Sequence, residues 1–152
     1  MTKPFVAILM GSDSDLDTMQ ATVEVLDKLG VAREVNVLSA HRTPDATRAY
    51  VQEADGRGCA VFIAAAGMAA HLPGAVAAWT ALPVIGVPIG KPGMSGLDAL
   101  LSIAQMPPGV PVACMAVNGA KNAALLAAAI LALKHEPVRR ALQDYRRKQA
   151  EG

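Results

Sequence analysis

Five short runs of apolar residues alternate with longer segments of mixed character along the chain. Each run is nearly continuous in apolar side chains, which is the pattern of strands that are buried on both faces of a sheet. The predicted strands cover residues 5–10, 35–38, 60–65, 84–88 and 112–117. A regular alternation of strands and helices predicts a parallel sheet with helices on both of its faces.

The segments between the apolar runs carry signals for the starts of helices. Thr43 followed by Pro44 places a hydroxyl at the N-cap and a proline at the first helical position. Ser95 with Asp98 three residues later fits a capping box. The predicted helices cover residues 16–29, 44–54, 71–80, 95–105, 122–133 and about 137–150.

The last two predicted helices differ in character. Residues 122–133 are rich in alanine and leucine and apolar nearly all round, which predicts a helix covered by its own sheet or by a neighbouring subunit. The final helix is basic, but Asp144 and Glu151 among its arginines indicate a solvated or subunit-facing surface rather than a nucleic-acid patch. Because the chain has no internal repeat and no linker, we expect a single domain over residues 1–152, with its core at about 5–133.

The amino-acid composition limits the classes of molecule that the protein is expected to bind. The chain has 152 residues, enough for one domain with a substantial core, and 53% of them are hydrophobic against 18% charged. The net charge of +1 gives no electrostatic reason to bind nucleic acid or an anionic membrane surface. Aromatic residues make up only 3%, which argues against platforms for stacking bases.

The cysteines and the first apolar run bear on the cellular location. Cys59 and Cys114 lie inside apolar runs, which is typical of buried strand thiols rather than of a disulfide or a nucleophile. The apolar run at residues 5–10 is too short for a secretory signal and is followed by polar residues without a cleavage pattern. No apolar stretch reaches the roughly 18 residues of a membrane-spanning helix. We therefore expect a soluble cytoplasmic protein with no membrane partner.

Each predicted strand leads into a loop of glycines and small polar residues. The carboxyl ends of parallel strands share one edge of the sheet, and ligands bind at that edge where the strand order reverses. Residues that are scattered in sequence are therefore expected to meet in one place. The loops cover residues 11–15, 39–43, 67–71, 90–93 and 118–121.

The first loop offers an anion site at the start of a helix. Free backbone N–H groups at a helix N-terminus favour a negative group. Ser12 and Asp15 fit a ligand role and a helix-start role equally well, while Ser14 is better explained as a cap. The loop lacks the glycine spacing of a dinucleotide fingerprint and the Gly-Lys-Ser/Thr ending of a Walker loop.

The second loop places His41 and Arg42 side by side between a strand and a helix. An arginine can hold a phosphate through two parallel N–H bonds. A histidine can give and take a proton near physiological pH. The alternative explanation is an exposed His-Arg pair at a helix start, without chemistry.

The third loop is built from small residues that end at His71. Small side chains around Gly67 and Ala70 let a ligand approach the backbone, whose amides can bind a carboxylate or an oxyanion. His71 is explained equally well as a helix cap or as a ligand contact. The histidines, cysteines and acids show no metal-ligand spacing, and no Gly-x-Ser-x-Gly elbow of a hydrolase follows a strand.

With these loops in place, the chain closely resembles the bacterial-type (class I) 5-(carboxyamino)imidazole ribonucleotide mutases. The heptapeptide Ser-Ala-His-Arg-Thr-Pro-Asp at residues 39–45 is the most specific match. The matches run in the family's order and spacing from about residue 5 to 133. The matching segments are residues 10–15, 39–45, 69–74, 82–88, 102–107 and 122–127.

The resemblance implies a fold and an activity. The fold is a flavodoxin-like three-layer α/β/α sandwich with a five-stranded parallel sheet and extended C-terminal helices, assembled as a homo-octamer. The activity is an isomerase step of de novo purine biosynthesis on a small ribonucleotide substrate. A carboxyl group moves from the exocyclic nitrogen to carbon 4 of the imidazole, without metal or cofactor.

The resemblance also implies roles for individual residues. His41 is the general acid and base, Arg42 binds the 5′-phosphate and Asp15 binds the ribose hydroxyls. His71 and the backbone of the Gly67 loop line the carboxylate pocket. The full set of implied substrate-binding residues is Ser12, Asp15, Ser39, Arg42, Gly67, Ala70, His71 and Leu72.

The chain departs from the resembling family at two places, and two other functions are compatible with its pattern. The family more often has glycine at Ala65 and Met68, and the loop at 118–121 is about two residues shorter than in some members. One rival is a carboxylase that joins free carbon dioxide to aminoimidazole ribonucleotide. The other is a flavodoxin-like binding module without catalysis. Its phosphorelay form would need an aspartate where the third strand ends in alanines, and its flavin form would need aromatic loop residues.

Overall fold

A central sheet of five parallel strands organises the computed structural model, which describes residues 3–152. The strand order is β2-β1-β3-β4-β5, which is the flavodoxin-like order expected from the resemblance. Every neighbouring pair of strands is parallel. The strands are β1 (Phe5–Met10), β2 (Ala32–Val37), β3 (Cys59–Gly67), β4 (Val84–Ile89) and β5 (Ala113–Cys114).

Six helices cover the two faces of this sheet, preceded by a short 3-10 turn at Asp13–Asp15. Apolar residues of α1 and α5 pack on one face, with α6 packed on α5, and those of α2, α3 and α4 pack on the other face. The three-layer α/β architecture is therefore confirmed. The helices are α1 (Leu16–Lys28), α2 (Pro44–Gly56), α3 (Leu72–Trp79), α4 (Leu97–Ala104), α5 (Ala120–Leu131) and α6 (Glu136–Glu151).

The interior strand β1 shows why the apolar runs are continuous. All six of its residues are buried, because β2 and β3 flank it and helices cover both faces. Successive side chains point to opposite faces of a strand. Ile8 and Met10 accordingly join the core on the α1 and α5 side, while Ala7 and Leu9 join the core on the α2 and α3 side.

The two edge strands differ most from prediction. Strand β2 covers Ala32–Val37 rather than 35–38, and its polar residues Arg33 and Glu34 pair with β1 at an edge that is only half-buried. Strand β5 shrinks from the predicted 112–117 to Ala113–Cys114. Beyond it the chain still follows β4, since the Met115 N–H donates to the Gly86 carbonyl at 2.9 Å. An edge strand has one neighbour, so its pairing and its apolar pattern are both weaker.

The predicted helix caps are only partly right. Thr43 does occupy the N-cap of α2, with Pro44 after it, but its hydroxyl bonds the backbone of Ser39 instead of its own helix. The prediction of a capping box at Ser95 is wrong. The N-cap of α4 is Gly96, and its φ of 88° lies in the left-handed region that favours glycine. The Asp98 carboxylate accepts from the neighbouring Ala99 N–H.

The two C-terminal helices behave as their composition indicates. Helix α5 buries its alanines against the sheet and α1, and the Thr22 hydroxyl donates to the Ala120 carbonyl at 2.7 Å. Helix α6 buries Val138 on this core and exposes its basic residues, where Arg147 pairs with Asp144 and with Glu151. Within residues 3–152, no helix is long and apolar enough to cross a membrane.

The two cysteines lie in strands, as predicted, and both are free thiols in the part of the chain that is described. Cys59 is buried at the start of β3, whereas Cys114 is half-buried on the edge strand. Burial raises the pKa of the Cys59 thiol to about 12. A thiol with so high a pKa is a poor nucleophile at neutral pH, which agrees with a packing role.

Replacement of Gly86 by alanine tests the contact between β4 and α4. A Cβ at Gly86 would lie 2.4 Å from Cγ2 of Ile103 and 3.2 Å from Cγ1 of Val112, both in the core layer beside the sheet. Because overpacking a filled core costs about 1–3 kcal/mol, we expect Gly86→Ala to lower the free energy of unfolding by that amount. Urea denaturation followed by circular dichroism measures it.

Gly56→Ala is the matched control. A Cβ there has open space within 4 Å, and the residue ends helix α2. We expect its unfolding free energy to stay at or slightly above that of the unchanged protein. Equal stabilities for the Gly86 and Gly56 variants would contradict the tight packing of β4 against α4.

Candidate active site

A cavity of about 260 Å³ opens at the carboxyl edge of the sheet. It lies at the loops after β1, β2, β3 and β4, at the β1/β3 position where the strand order reverses. The prediction that these loops meet is confirmed, although the loop at 118–121 contributes none of the lining side chains of the described chain. The lining residues are Gly11, Ser12, Ser14, Asp15, Ser39, Ala40, His41, Arg42, Ala66, Gly67, Met68, Ala69, His71, Leu72 and Lys91.

The loop after β1 brings two serine hydroxyls to the cavity. Ser12 is the N-cap of the 3-10 turn, and its Oγ accepts from the Ser14 N–H at 3.2 Å. The two hydroxyl oxygens lie 2.9 Å apart. The cap role that was predicted for Ser14 therefore falls to Ser12, and both hydroxyls line the cavity.

Asp15 is a buried carboxylate at the cavity wall. It is 2% exposed and directly precedes α1. Its Oδ1 accepts from the Lys91 ammonium at 2.9 Å, and Lys91 also lies 3.3 Å from the Ser14 hydroxyl. A buried carboxylate needs such a partner, because an unpaired charge away from water is costly.

Lys91 was not among the predicted site residues. It follows β4 by two residues and lies between Gly90 and Pro92, in a loop that the sequence places at the same edge as the others. This position of Lys91 after a strand is the feature of the sequence that could have identified it as a site residue. The sequence does not show in which direction the long Lys91 side chain points, because that direction depends on the packing of the neighbouring loops.

The loop after β2 is tied to the loop after β1 by Arg42. Its guanidinium donates to the Gly11 carbonyl at 3.2 Å, and its backbone N–H donates to the Ser39 Oγ at 3.0 Å. Arginine carries five N–H donors, so others remain for a ligand at the cavity. Ser39 thus lines the cavity and also orients the residue that follows His41.

His41 and His71 meet across the cavity from different loops. Nε2 of His41 lies 2.5 Å from Nδ1 of His71, and the rings stand edge to face with their centroids 4.6 Å apart. Which ring donates depends on the tautomers. His71 occupies the N-cap position of α3, but its side chain makes no cap bond and contacts His41 instead, so of the two roles left open by the sequence the cap is not formed.

The loop after β3 approaches the cavity with its backbone. Met68 has a φ of 55°, in the left-handed region where glycine is more usual, and its side chain is exposed. Glycine, which the resembling family more often has there, would adopt this conformation without strain. Leu72 lines the cavity, whereas the buried Ala70 lies behind the lining.

The charges around the cavity favour an anionic ligand. Arg42 and Lys91 are the cations of the lining, and Asp15 is its one carboxylate, so the lining carries one net positive charge when the histidines are neutral. In the described part of the chain, no group of three or more His, Cys, Asp or Glu residues is placed to hold a metal ion.

Most of the predicted site residues therefore share one cavity. Eight of them line it, and Ala70 is the exception. Their individual roles stay predictions. The residues that line the cavity are Ser12, Asp15, Ser39, His41, Arg42, Gly67, His71 and Leu72.

Known proteins resemble this chain over nearly its whole length. An N5-carboxyaminoimidazole ribonucleotide mutase of Pseudomonas aeruginosa is 55% identical over 148 residues, which is 96% of this chain and 91% of that protein. The mutase of the same name from Pyrococcus horikoshii is 53% identical over 150 residues, 96% of this chain and 85% of its own.

Structural comparison and the family model agree with these relatives. The crystal structure of Treponema denticola PurE superposes with a TM-score of 0.90 at 29% identity, covering 98% of this chain and 93% of that one. The family model described as AIR carboxylase matches residues 5–152. The chain therefore belongs to the AIR carboxylase family.

Proposed function

We propose that this protein is a mutase of purine biosynthesis that converts N5-carboxyaminoimidazole ribonucleotide to 4-carboxy-5-aminoimidazole ribonucleotide. The observation that carries the proposal is the placement of His41 against His71 in a small cavity lined by two cations. Relatives more than 50% identical carry the name of this mutase. The reaction needs one group that both gives and takes a proton, and a histidine is suited to that task.

The proposed reaction begins with loss of the carboxylate. Protonated His41 gives its proton to the exocyclic nitrogen as the N-carboxylate leaves, which produces aminoimidazole ribonucleotide and carbon dioxide. Carbon 4 of the imidazole, which is enamine-like, then attacks the carbon dioxide. Neutral His41 finally removes the proton from carbon 4. One histidine acts as acid and then as base, so the cycle closes without a redox or phosphoryl cofactor.

The hydrogen bond between the two histidines supports this sequence of steps. It holds the His41 ring in one orientation, because Nε2 is tied to His71 while the rings stand nearly perpendicular. An oriented acid and base needs less rearrangement to reach the reacting atoms. His71 is thereby a positioning residue for His41 as well as part of the cavity wall.

Confinement of carbon dioxide is the second task of the site. Carbon dioxide that escaped to solvent would be diluted, and the advantage of an intramolecular reaction would be lost. Ala66, Gly67 and Ala69 line the cavity with small side chains next to His71. Such a wall suits a compact guest and brings backbone amides close to a carboxylate.

Substrate binding is proposed to use the charged and hydroxyl groups around the cavity. Arg42 binds the 5′-phosphate, with Ser12 near the start of α1, where backbone N–H groups also favour an anion. Asp15 accepts from the ribose hydroxyls. Ala70 acts from behind the lining by keeping the backbone of its loop close to the cavity.

We further propose that the protein works as a homo-octamer in the cytoplasm. Leu97 and Leu101, one turn apart on α4, and the preceding Met94 are each about half exposed, and such an apolar patch is typical of a subunit interface. Free cysteines are typical of a reducing compartment. Sedimentation equilibrium is expected to give eight times the monomer mass, and the mass of one chain would contradict the assembly.

Carbon-13 labelling tests the reaction itself. The protein is incubated with N5-carboxyaminoimidazole ribonucleotide labelled at the carboxyl carbon, in unlabelled bicarbonate and without ATP or added metal. We expect the label to appear at carbon 4 faster than it exchanges with bicarbonate, because the carbon dioxide stays confined. Carbon NMR follows the label.

The other outcomes of this experiment are equally informative. Product that forms only from added bicarbonate and aminoimidazole ribonucleotide would replace the mutase by the direct carboxylase. A reaction no faster than in the absence of protein would refute both activities.

His41→Asn tests the assignment of the acid and base. A general acid or base contributes typically 10²–10⁴-fold, so we expect kcat to fall by about that factor while the dissociation constant of the nucleotide changes little. Asparagine keeps a polar side chain of similar size but cannot exchange the proton. Single-turnover kinetics and isothermal calorimetry measure the two quantities separately.

His135→Asn is the control for this change. His135 precedes α6 and lies outside the cavity lining, so its variant should retain full activity. An unchanged rate for the His41 variant would remove His41 from the mechanism.

A further inference from the structure

A lysine ammonium lies at the cavity wall in contact with the buried carboxylate that is proposed to bind ribose. Lys91 Nζ lies 2.9 Å from Asp15 Oδ1 and 3.3 Å from the Ser14 hydroxyl. The Asp15 side chain is only 3% exposed, whereas that of Lys91 is 33% exposed. The ion pair therefore joins a buried carboxylate to an ammonium whose side chain is partly exposed.

The path of the Lys91 side chain is determined by its neighbours. A Cβ on Gly67 would lie 3.0 Å from Cε and 3.2 Å from Cγ of Lys91, so the lysine stem packs closely over a residue that has no side chain. On the other side, the Gly90 N–H donates to Oδ1 of Asn118 at 2.9 Å. That bond fixes the backbone immediately before Lys91, and the two contacts together aim the ammonium at Asp15.

Only one oxygen of the Asp15 carboxylate is bonded to Lys91. Oδ1 is occupied by Lys91, and Asp15 lines the cavity, so Oδ2 remains for a ligand. An ammonium bonded to Oδ1 restricts the rotation of the Asp15 side chain, and a restricted acceptor binds a hydroxyl with less loss of side-chain freedom.

We propose that Lys91 is a positioning residue that holds the Asp15 carboxylate in the orientation needed to bind the ribose hydroxyls. This inference rests on the proposed function and adds to it a residue that acts through another. Its effect belongs to nucleotide binding, since Lys91 contacts Asp15 and Ser14 rather than the His41–His71 pair. A direct contact between Lys91 and an anionic group of the substrate is the competing possibility, and the experiment separates the two.

A double-mutant cycle between Lys91 and Asp15 tests the inference. Lys91→Met keeps the apolar stem over Gly67 and removes the charge. Because a hydrogen bond to a charged group contributes more than a neutral one, we expect KM for the nucleotide to rise about tenfold, with kcat within about twofold of its original value. In an Asp15→Ala background, Lys91→Met should change KM by less than about twofold, since the residue it acts through is gone.

Two further variants serve as controls. Lys91→Arg restores a cation at the same place and should bring KM to within about threefold of the original value. Lys134→Met removes a lysine charge at an exposed site outside the cavity and should leave both constants unchanged. Thermal unfolding followed by circular dichroism confirms that each variant is folded.

Calorimetric binding of ribose 5-phosphate separates this inference from the proposed reaction, because the probe needs no chemistry. The inference is supported if Lys91→Met weakens ribose 5-phosphate binding in the otherwise unchanged protein but not in the Asp15→Ala background. This support holds even if the protein is not a mutase. Equal KM and equal binding for Lys91→Met and the unchanged protein would overturn it. An effect of Lys91→Met that persists in the Asp15→Ala background would also overturn it, in favour of direct contact with the substrate. Absence of ribose 5-phosphate binding by the unchanged protein would overturn it as well.

Discussion

The parallel arrangement of the five strands is the constraint on which the rest of this structure depends. Parallel strands need a helix between each pair, and those helices bury both faces of the sheet. The same arrangement brings every strand to an end at one edge, so the loops that carry Ser12, His41, Gly67 and Lys91 converge there. The site is thus a consequence of strand direction. No single segment of sequence contains it.

Each loop at that edge is held by a hydrogen bond to another loop, and these bonds bring the proposed catalytic and binding groups together. Arg42 reaches back to the Gly11 carbonyl, and His41 meets His71. Lys91 crosses from β4 to Asp15 at the start of α1. Because these contacts link the loops after β1, β2, β3 and β4 to one another, the groups proposed for proton transfer, phosphate binding and hydroxyl binding surround one small cavity.

Prediction from sequence was most accurate where burial is complete. Strand β1 was predicted to the residue because both of its faces and both of its edges are covered, which leaves a continuous apolar run. The edge strands β2 and β5 were misjudged because a half-buried edge tolerates residues such as Arg33 and needs few ladder bonds. The start of α4 was misjudged because the backbone turns at Gly96, a conformation that competes with the local capping signal at Ser95.

The amino-acid sequence by itself determined the alternation of strands and helices, the edge at which polar loops gather, and the family to which the chain belongs. Periodicity and short motifs are local, so they can be read without coordinates. Only the tertiary structure decided that His71 bonds His41 instead of capping its helix, that Ala70 lies behind the cavity, and that Lys91 reaches Asp15. These are contacts between residues far apart in the chain, and side-chain direction across such a gap depends on how the loops pack.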